Sequence, residues 1–271
     1  MMLQVLAGIL RVWRKGQMKV KYVIAYPFGG RPVPCDWHLA VRNLALPANI
    51  TVKEIYRRSF VKDGEYTIPL EKAQTEMVED ALKFDAEYIL FIEDDTIPPP
   101  GALMELSRVL ESSPPDVMTC GGIYTTRCPY PEPIVYMGPG EGSFWNWTMG
   151  DIFQCWATGM GCTLIRMEVF KKMSKPWFKE LKTVEDILQF PDLFEAPDKS
   201  VKKIGVSTDL FFFTKLRKMG FKAIAHGGVL PIHWDTVTNE GYWLPKGSRP
   251  TQGILMNGKE FGWTDPSLGA P

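Results

Sequence analysis

YILFIEDDTIPPPGALMEL, residues 88–106, joins an apolar run to three carboxylates, a proline-rich break and a helical pattern. With the two residues before it, AEYILFI at 86–92 is apolar and rich in β-branched and aromatic side chains, which predicts a fully buried strand. That strand runs directly into three carboxylates, Glu93, Asp94 and Asp95. PPPG at 98–101 then breaks the chain, and ALMELSRVLE has helical spacing. Like charges at the mouth of an apolar strand repel one another, so the arrangement asks for a compensating cation. Mg²⁺ and Mn²⁺ prefer oxygen ligands and bridge carboxylates to phosphates. Alternate side chains of an extended segment point the same way. Glu93 and Asp95 are therefore expected to face one ion, with Asp94 turned elsewhere. A solvated acidic turn is the plainer reading of such a triplet; its place after a buried strand favours the ion.

VKYVIAY at 20–26 reads as a buried first strand ended by Pro27 and Gly29-Gly30, and ITVKEIYR at 50–57 as a second. Residues 71–84 carry Ala73, Met77, Val78, Ala81 and Leu82 at helical spacing, and VMTC at 117–120 reads as a strand. Strands alternating with helices imply a parallel sheet, whose ligands bind beyond the carboxyl ends of its strands. The Pro27–Arg31 turn and the acidic triplet both lie there. Residues 121–150 are rich in Gly, Pro and aromatics and read as a segment over the site with a short strand near Ile134–Met137. DIFQCWATGMGCTLIR at 151–166 reads as two strands around a turn at Thr158–Gly161, followed by a short helix. Residues 176–206 carry no firm assignment. STDLFFFTKLRKMGFK at 207–222 is a helix with its start and stop: Ser207 or Thr208 at the cap, Asp209 in the first turn, basic residues late, Gly220 after it. FKAIA and VLPIHW read as strands, and the tail from 240 to 271 as irregular.

Composition narrows the classes. Lys+Arg and Asp+Glu are equal at 31 each, so the chain lacks the basic footprint of a tight nucleic-acid binder. Five scattered cysteines, with no C-x-x-C pair, argue against a zinc site or disulfide framework and for a reducing cytoplasm. The apolar run at 1–13 is followed by Arg14 and Lys15 and is too short to span a bilayer. It reads as a short amphipathic helix that could touch a membrane surface, or as sequence ahead of a start at Met18. The expected organisation is thus an extension at 1–17, one domain at 18–239 and a tail at 240–271.

Residues 88–106 resemble the D-x-D-bearing segment of nucleotide-sugar-dependent glycosyltransferases of the GT-A fold, the family 2 group and its relatives. The resemblance extends over roughly residues 20–235, with Glu93 where the family usually has Asp. It implies an α/β, Rossmann-like GT-A single domain with a mostly parallel central sheet flanked by helices. It also implies a nucleotide-sugar donor, UDP by preference, and Mn²⁺ or Mg²⁺ held by Glu93, Asp95 and the late His233. A late His completes the ion's ligand set in several relatives; His226, which also follows an apolar strand, is the competitor. Asp209 stands where inverting members carry the general base, though Thr208 replaces the usual Glu before it; stabilising the helix N-terminus is its plainer role. Tyr26, Pro27, Arg31, Arg58 and Asp94 are expected on the donor side, with a surface charge the plainer reading of any one arginine. Trp156, Thr158 and Gly159 resemble the acceptor stretch, where Trp156 would stack on a sugar or sit in the core.

Two other functions fit parts of the pattern. A sugar-phosphate nucleotidyltransferase would share sheet and metal but needs a Gly-rich basic loop after the first strand, of which FGGRP is a faint version. A non-catalytic carbohydrate-binding protein leaves the buried-strand triplet without a purpose. The acceptor class stays open among a polysaccharide, a protein, a small molecule and a modified nucleobase.

Overall fold

A computed structural model describes residues 20–29, 32–58, 68–127, 131–195 and 205–242, with backbone alone at 61–62, 65–66, 249–250 and 263–264. The first half runs β1 (Val20–Phe28), α1 (Cys35–Arg42), β2 (Thr51–Arg58), two-residue strands β3 (Val61–Lys62) and β4 (Glu65–Tyr66), and α2 (Leu70–Lys83). It continues through β5 (Tyr88–Ile92), β6 (Thr96–Ile97), α3 (Ala102–Ser112) and β7 (Val117–Gly122). The second half runs β8 (Val135–Tyr136), β9 (Ile152–Cys155), β10 (Ala157–Thr158), β11 (Cys162–Arg166), α4 (Glu168–Lys172), α5 (Val184–Leu188), α6 (Thr208–Lys218), β12 (Lys222–His226), β13 (Ile232–Asp235) and β14 (Glu240–Tyr242).

Seven strands form the central sheet in the order β2-β1-β5-β11-β7-β12-β9. β2, β1 and β5 are parallel, as are β7 and β12; β11 and β9 run against their neighbours. The sheet is therefore mostly parallel, with β11 as an antiparallel wedge between two parallel blocks. Alternation along each strand feeds two cores. Val23, Ala25, Ile89 and Phe91 join Met77 and Val78 of α2 and Phe212, Phe213 and Leu216 of α6 on one side. Tyr22, Ile24, Leu90 and Ile92 join Trp37 of α1 and Leu103, Leu106 and Leu110 of α3 on the other. A sheet covered on both faces explains why β5 reads as an unbroken apolar run.

The helix after residue 206 starts at Ser207, whose hydroxyl accepts the Leu210 N–H at 3.3 Å, and is followed by Gly220 at φ +79°, a left-handed stop that glycine takes without strain. Within residues 176–206, left unassigned from sequence, Thr183 and Asp186 form a reciprocal capping box that starts α5. α1 had no periodic signal; it begins after Pro34 and buries Trp37 alone of its residues. The expected irregular tail begins at Glu240, the first residue of β14, and Glu240–Tyr242 are instead paired to β13. The 1–17 extension lies outside the described residues. Among those described, no helix is long and apolar enough to cross a membrane.

Phe212 is fully buried and its ring stacks on Phe178 at 5.5 Å between centroids. Phe212→Ala should cost about 3–5 kcal/mol of unfolding free energy. Urea unfolding followed by circular dichroism checks this; a loss below ~1 kcal/mol would show that the α6 side of the core is not packed as described.

Candidate functional site

The strand ladder of β5 ends at Ile92, opposite Cys162 of β11. The next residue closes a turn: Thr96 N–H donates to the Glu93 carbonyl at 3.0 Å, and Trp37 Nε1–H of α1 donates to the same carbonyl at 2.8 Å. Glu93 N–H in turn donates to Gly161 O at 3.1 Å. The acidic triplet is thus a turn and not the extended segment expected from sequence. Asp94 points back to β1, where its Oδ2 accepts the Gly29 N–H at 2.6 Å. This contact ties together the exits of β1 and β5, the point where the strand order reverses.

After the turn, β6 pairs antiparallel with β13, setting Thr96 opposite His233. Trp234 N–H donates to Asp95 O at 2.7 Å. These main-chain bonds carry the late histidine to the acidic turn. His233 Nδ1 lies 2.6 Å from Thr125 O. A carbonyl only accepts, so Nδ1 carries a proton and Nε2 is the nitrogen turned toward the acidic turn, where the neutral form of the ring would present a lone pair. That Nε2 faces Asp95 Oδ2 at 3.7 Å. Arg127 Nη1 donates to the same Oδ2 at 2.5 Å and to Trp234 O at 3.4 Å.

The turn opens into a cleft of about 450 Å³, lined by Glu93, Asp94, Asp95 and Arg127, by Pro27 and Gly29 of the β1 exit, and by the beginnings of α2 and α6. Glu180 and Lys182 also line it. The volume lies in the range of small-molecule sites. Asp209 lies in the first turn of α6, and its carboxylate reaches out of its own helix: Oδ2 accepts Met160 N–H at 3.0 Å and Oδ1 accepts the Thr208 hydroxyl at 3.1 Å.

Electrostatically the site is short of positive charge. The Glu93 carboxyl is held well above the usual carboxylate range, first by burial and then by repulsion from Asp209, Asp95 and Asp94; Arg127 offsets part of this. Burial likewise pushes Asp209 up, against the pull of its bonds from Met160 and Thr208. The Tyr124 hydroxyl is also raised, by burial and then by Glu93 and Asp209. A divalent cation would relieve all three. Carboxylate oxygens with one imidazole nitrogen suit Mn²⁺, and less closely Mg²⁺. Among the described residues, however, no three His, Cys, Asp or Glu side chains are arranged as a ready-made cage.

Comparison with known proteins places the fold. No protein-family model and no curated protein matches this chain. Among solved structures, the crystal structure of A197 from STIV superposes with a TM-score of 0.52 at 13% identity, covering 84% of this chain and 95% of that one. A glycosyltransferase involved in the glycosylation of the major capsid of PBCV-1 aligns with a TM-score of 0.31 at 13% identity, over 58% of this chain and 68% of that one. The first likeness is one of fold alone, and the second is too loose to carry an argument. The architecture, a mostly parallel seven-stranded sheet flanked by helices, is consistent with a Rossmann-like GT-A fold.

Of the residues singled out from sequence, Glu93, Asp94, Asp95 and Pro27 line the cleft, His233 faces Asp95, and Asp209 lies behind Thr208. Tyr26 does not reach the cleft: it shares the α1 face of β1, packs between Trp37 and Tyr56, and donates its hydroxyl to Glu54 Oε1 at 3.1 Å. Arg58 ends β2 and is not among the lining residues, and Arg31 lies outside the described residues. Trp156 packs against the α6-side core, and buried Thr158 meets Thr163 Oγ1 at 3.4 Å. A Cβ on Gly159 would collide with the Tyr124 hydroxyl, so this glycine admits a protein ring rather than a sugar. His226, the competitor, is not at the turn; its Nδ1 accepts Gly228 N–H at 3.0 Å and its Nε2 lies 3.8 Å from Glu105. Arg127 and Tyr124 were missed. Both lie in the Gly- and Pro-rich segment after β7, where no periodicity marks a residue; the one usable signal was that a lone arginine there could neutralise a buried carboxylate.

Because burial raises the pKa of Glu93 and Asp209, the folded protein keeps protons that the unfolded chain releases. Stability from this source is fully present below the ordinary carboxylate range and is lost as the pH rises through the raised values. In chelator, the wild-type melting temperature should fall more steeply than that of Glu93→Gln as the pH rises above the ordinary carboxylate range, about pH 4. The variant should be the more stable of the two at the alkaline end. Parallel melting curves by scanning fluorimetry would contradict the assignment.

Proposed function

We propose that this chain is a metal-dependent glycosyltransferase that moves a sugar from a nucleoside diphosphate donor, a UDP-sugar by preference, to an acceptor hydroxyl. The observation that carries the reading is the pair Asp95 Oδ2 and His233 Nε2, two lone-pair donors 3.7 Å apart beside the cleft. Two cis ligands of one octahedral ion lie roughly 3 Å apart, so a small side-chain adjustment suits them to one ion. Asp95, His233 and Glu93 would hold it. The bound cation would neutralise charge on the leaving diphosphate.

The chain's own residues supply the rest. The β1 exit at Pro27 and Gly29 forms the donor wall, and Asp94 holds that exit in place through Gly29. Asp209 takes the acceptor proton at its carboxylate, whose ionised form a bound cation nearby would favour. Thr208 and Met160 orient it by donating to its two oxygens. Attack opposite the leaving group inverts the anomeric carbon. The nucleotidyltransferase alternative asks the first loop to bind phosphate through its backbone, but the Gly29 N–H is already engaged by Asp94.

The test is a screen of nucleotide sugars for divalent-ion-dependent release of nucleoside diphosphate. Wild type should release UDP with Mn²⁺ and not in chelator. Asp95→Ala should abolish release, and Asp209→Asn should slow it about 10²–10⁴-fold. No metal-dependent release from any donor, or full release by Asp95→Ala, would sink the reading.

A further inference from the structure

Asp95 Oδ2 is addressed from two sides. His233 Nε2 faces it at 3.7 Å, and the Arg127 guanidinium already touches it at 2.5 Å. One short segment controls both neighbours. Thr125 fixes the His233 ring through its carbonyl, and Arg127 lies two residues further on. That segment is itself anchored, by Ile123 N–H to Val229 O at 2.9 Å, Thr126 N–H to Glu132 O at 2.8 Å, and a bridge between Thr125 and Pro133. The Arg127–Asp95 pair is also sheltered, with side chains 26% and 16% exposed, so solvent screens it less than a surface pair.

A carboxylate oxygen that accepts a guanidinium N–H at this distance has no room for a dication on the same side. A monocation and a divalent ion this close would also repel strongly where solvent is partly excluded. Ion entry at Asp95 therefore requires Arg127 to let go. Once released, the arginine stands at the edge of the same cleft with a planar set of N–H donors suited to two phosphate oxygens.

We propose that Arg127 is the resident counter-ion of Asp95 and couples metal entry to diphosphate entry. In the empty site it neutralises Asp95 and disfavours the bare ion. With ion and diphosphate both present, Asp95 would hold the ion and the Arg127 guanidinium would move to the diphosphate. The free energy of breaking the Arg127–Asp95 pair is then recovered only when both ligands are present, which makes their binding cooperative. Arg127 acts here as a positioning residue for the donor. The inference rests on the divalent-ion reading of the site and adds to it an order of affinities that this reading alone does not require.

The experiment measures binding, not turnover. Mn²⁺ affinity is determined by electron paramagnetic resonance, with and without UDP, for wild type, Arg127→Gln, Arg127→Lys and Asp95→Asn, each first checked for native circular dichroism. Wild type should bind Mn²⁺ weakly alone and about 5–150-fold more tightly with UDP. Arg127→Gln should bind Mn²⁺ alone about fivefold or more tightly than wild type, and UDP should tighten it by a smaller factor than in wild type, through the ion–diphosphate contact alone. Arg127→Lys keeps a cation beside Asp95 without the fork, so it should match wild type for the bare ion and lose most of the UDP effect. Equal bare-ion affinity and equal UDP enhancement in wild type, Arg127→Gln and Arg127→Lys would overturn the coupling role and leave the metal site standing. No Mn²⁺ binding in any protein, or unchanged binding in Asp95→Asn, would instead overturn the underlying reading, and the coupling role with it.

Discussion

The structure turns on the cost of collecting carboxylates where water is scarce. Burial and then Asp209, Asp95 and Asp94 raise the proton affinity of Glu93 at the end of a buried strand, burial and Asp95 raise that of Asp209, and Arg127 offsets only part of the repulsion at Glu93. Such a cluster survives folding only if its members are held by bonds stronger than their mutual aversion. The main chain supplies them. Glu93 is bonded through its carbonyl to Trp37 and Thr96, Asp94 through its carboxylate to Gly29, and Asp95 through its carbonyl to Trp234. Each bond comes from a different element, so the acidic turn is also the junction where β1, α1, β6 and β13 meet.

This explains the form of the second, smaller sheet. β6 is two residues long and would have no reason to exist as an isolated strand. It pairs with β13 because the chain must leave the acidic turn somewhere. The pairing fixes His233 beside Asp95 across more than a hundred residues of sequence. The glycine at 161 belongs to the same requirement. A Cβ there would strike Thr96 Oγ1 and the Tyr124 hydroxyl, which packs edge-on near His233. Small residues beneath the turn, Gly159 and Gly161, serve close packing of protein on protein.

What the sequence displayed and what it hid divide along physical lines. β5 was legible because burial on both faces leaves an unbroken apolar run, and α6 because Ser207 and Gly220 mark its ends chemically. The acidic triplet was legible as a cluster, but its shape was not. Whether a residue after a strand stays extended depends on what captures its carbonyl, and Trp37 comes from a helix that buries only one side chain and leaves no amphipathic stripe. The direction of β11 was also hidden, because an apolar strand reads the same either way. Tyr26 was assigned to the cleft from its place near a strand exit, and the parity of β1 sends it to the opposite face. Arg127 was invisible for a different reason. Its role comes wholly from a partner 32 residues earlier, in a segment whose composition says only that it is a loop.

The loop that hid Arg127 bears most directly on how the site behaves. Thr125 and Arg127 are separated by one residue and act on the same oxygen of Asp95 in opposite senses. Through Thr125 the segment holds the imidazole tautomer that can donate a lone pair to an ion; through Arg127 it holds the charge that keeps an ion away. A rigid segment could not do both once an ion arrived, yet Thr125 must stay in place for His233 to keep its orientation. The change therefore has to be confined to the Arg127 side chain, a long arm able to swing without moving the backbone that fixes its neighbour. Thr125 is fully buried and bridged to Pro133, whereas Arg127 is a quarter exposed at the cleft edge, and this division of mobility is the one such an exchange requires.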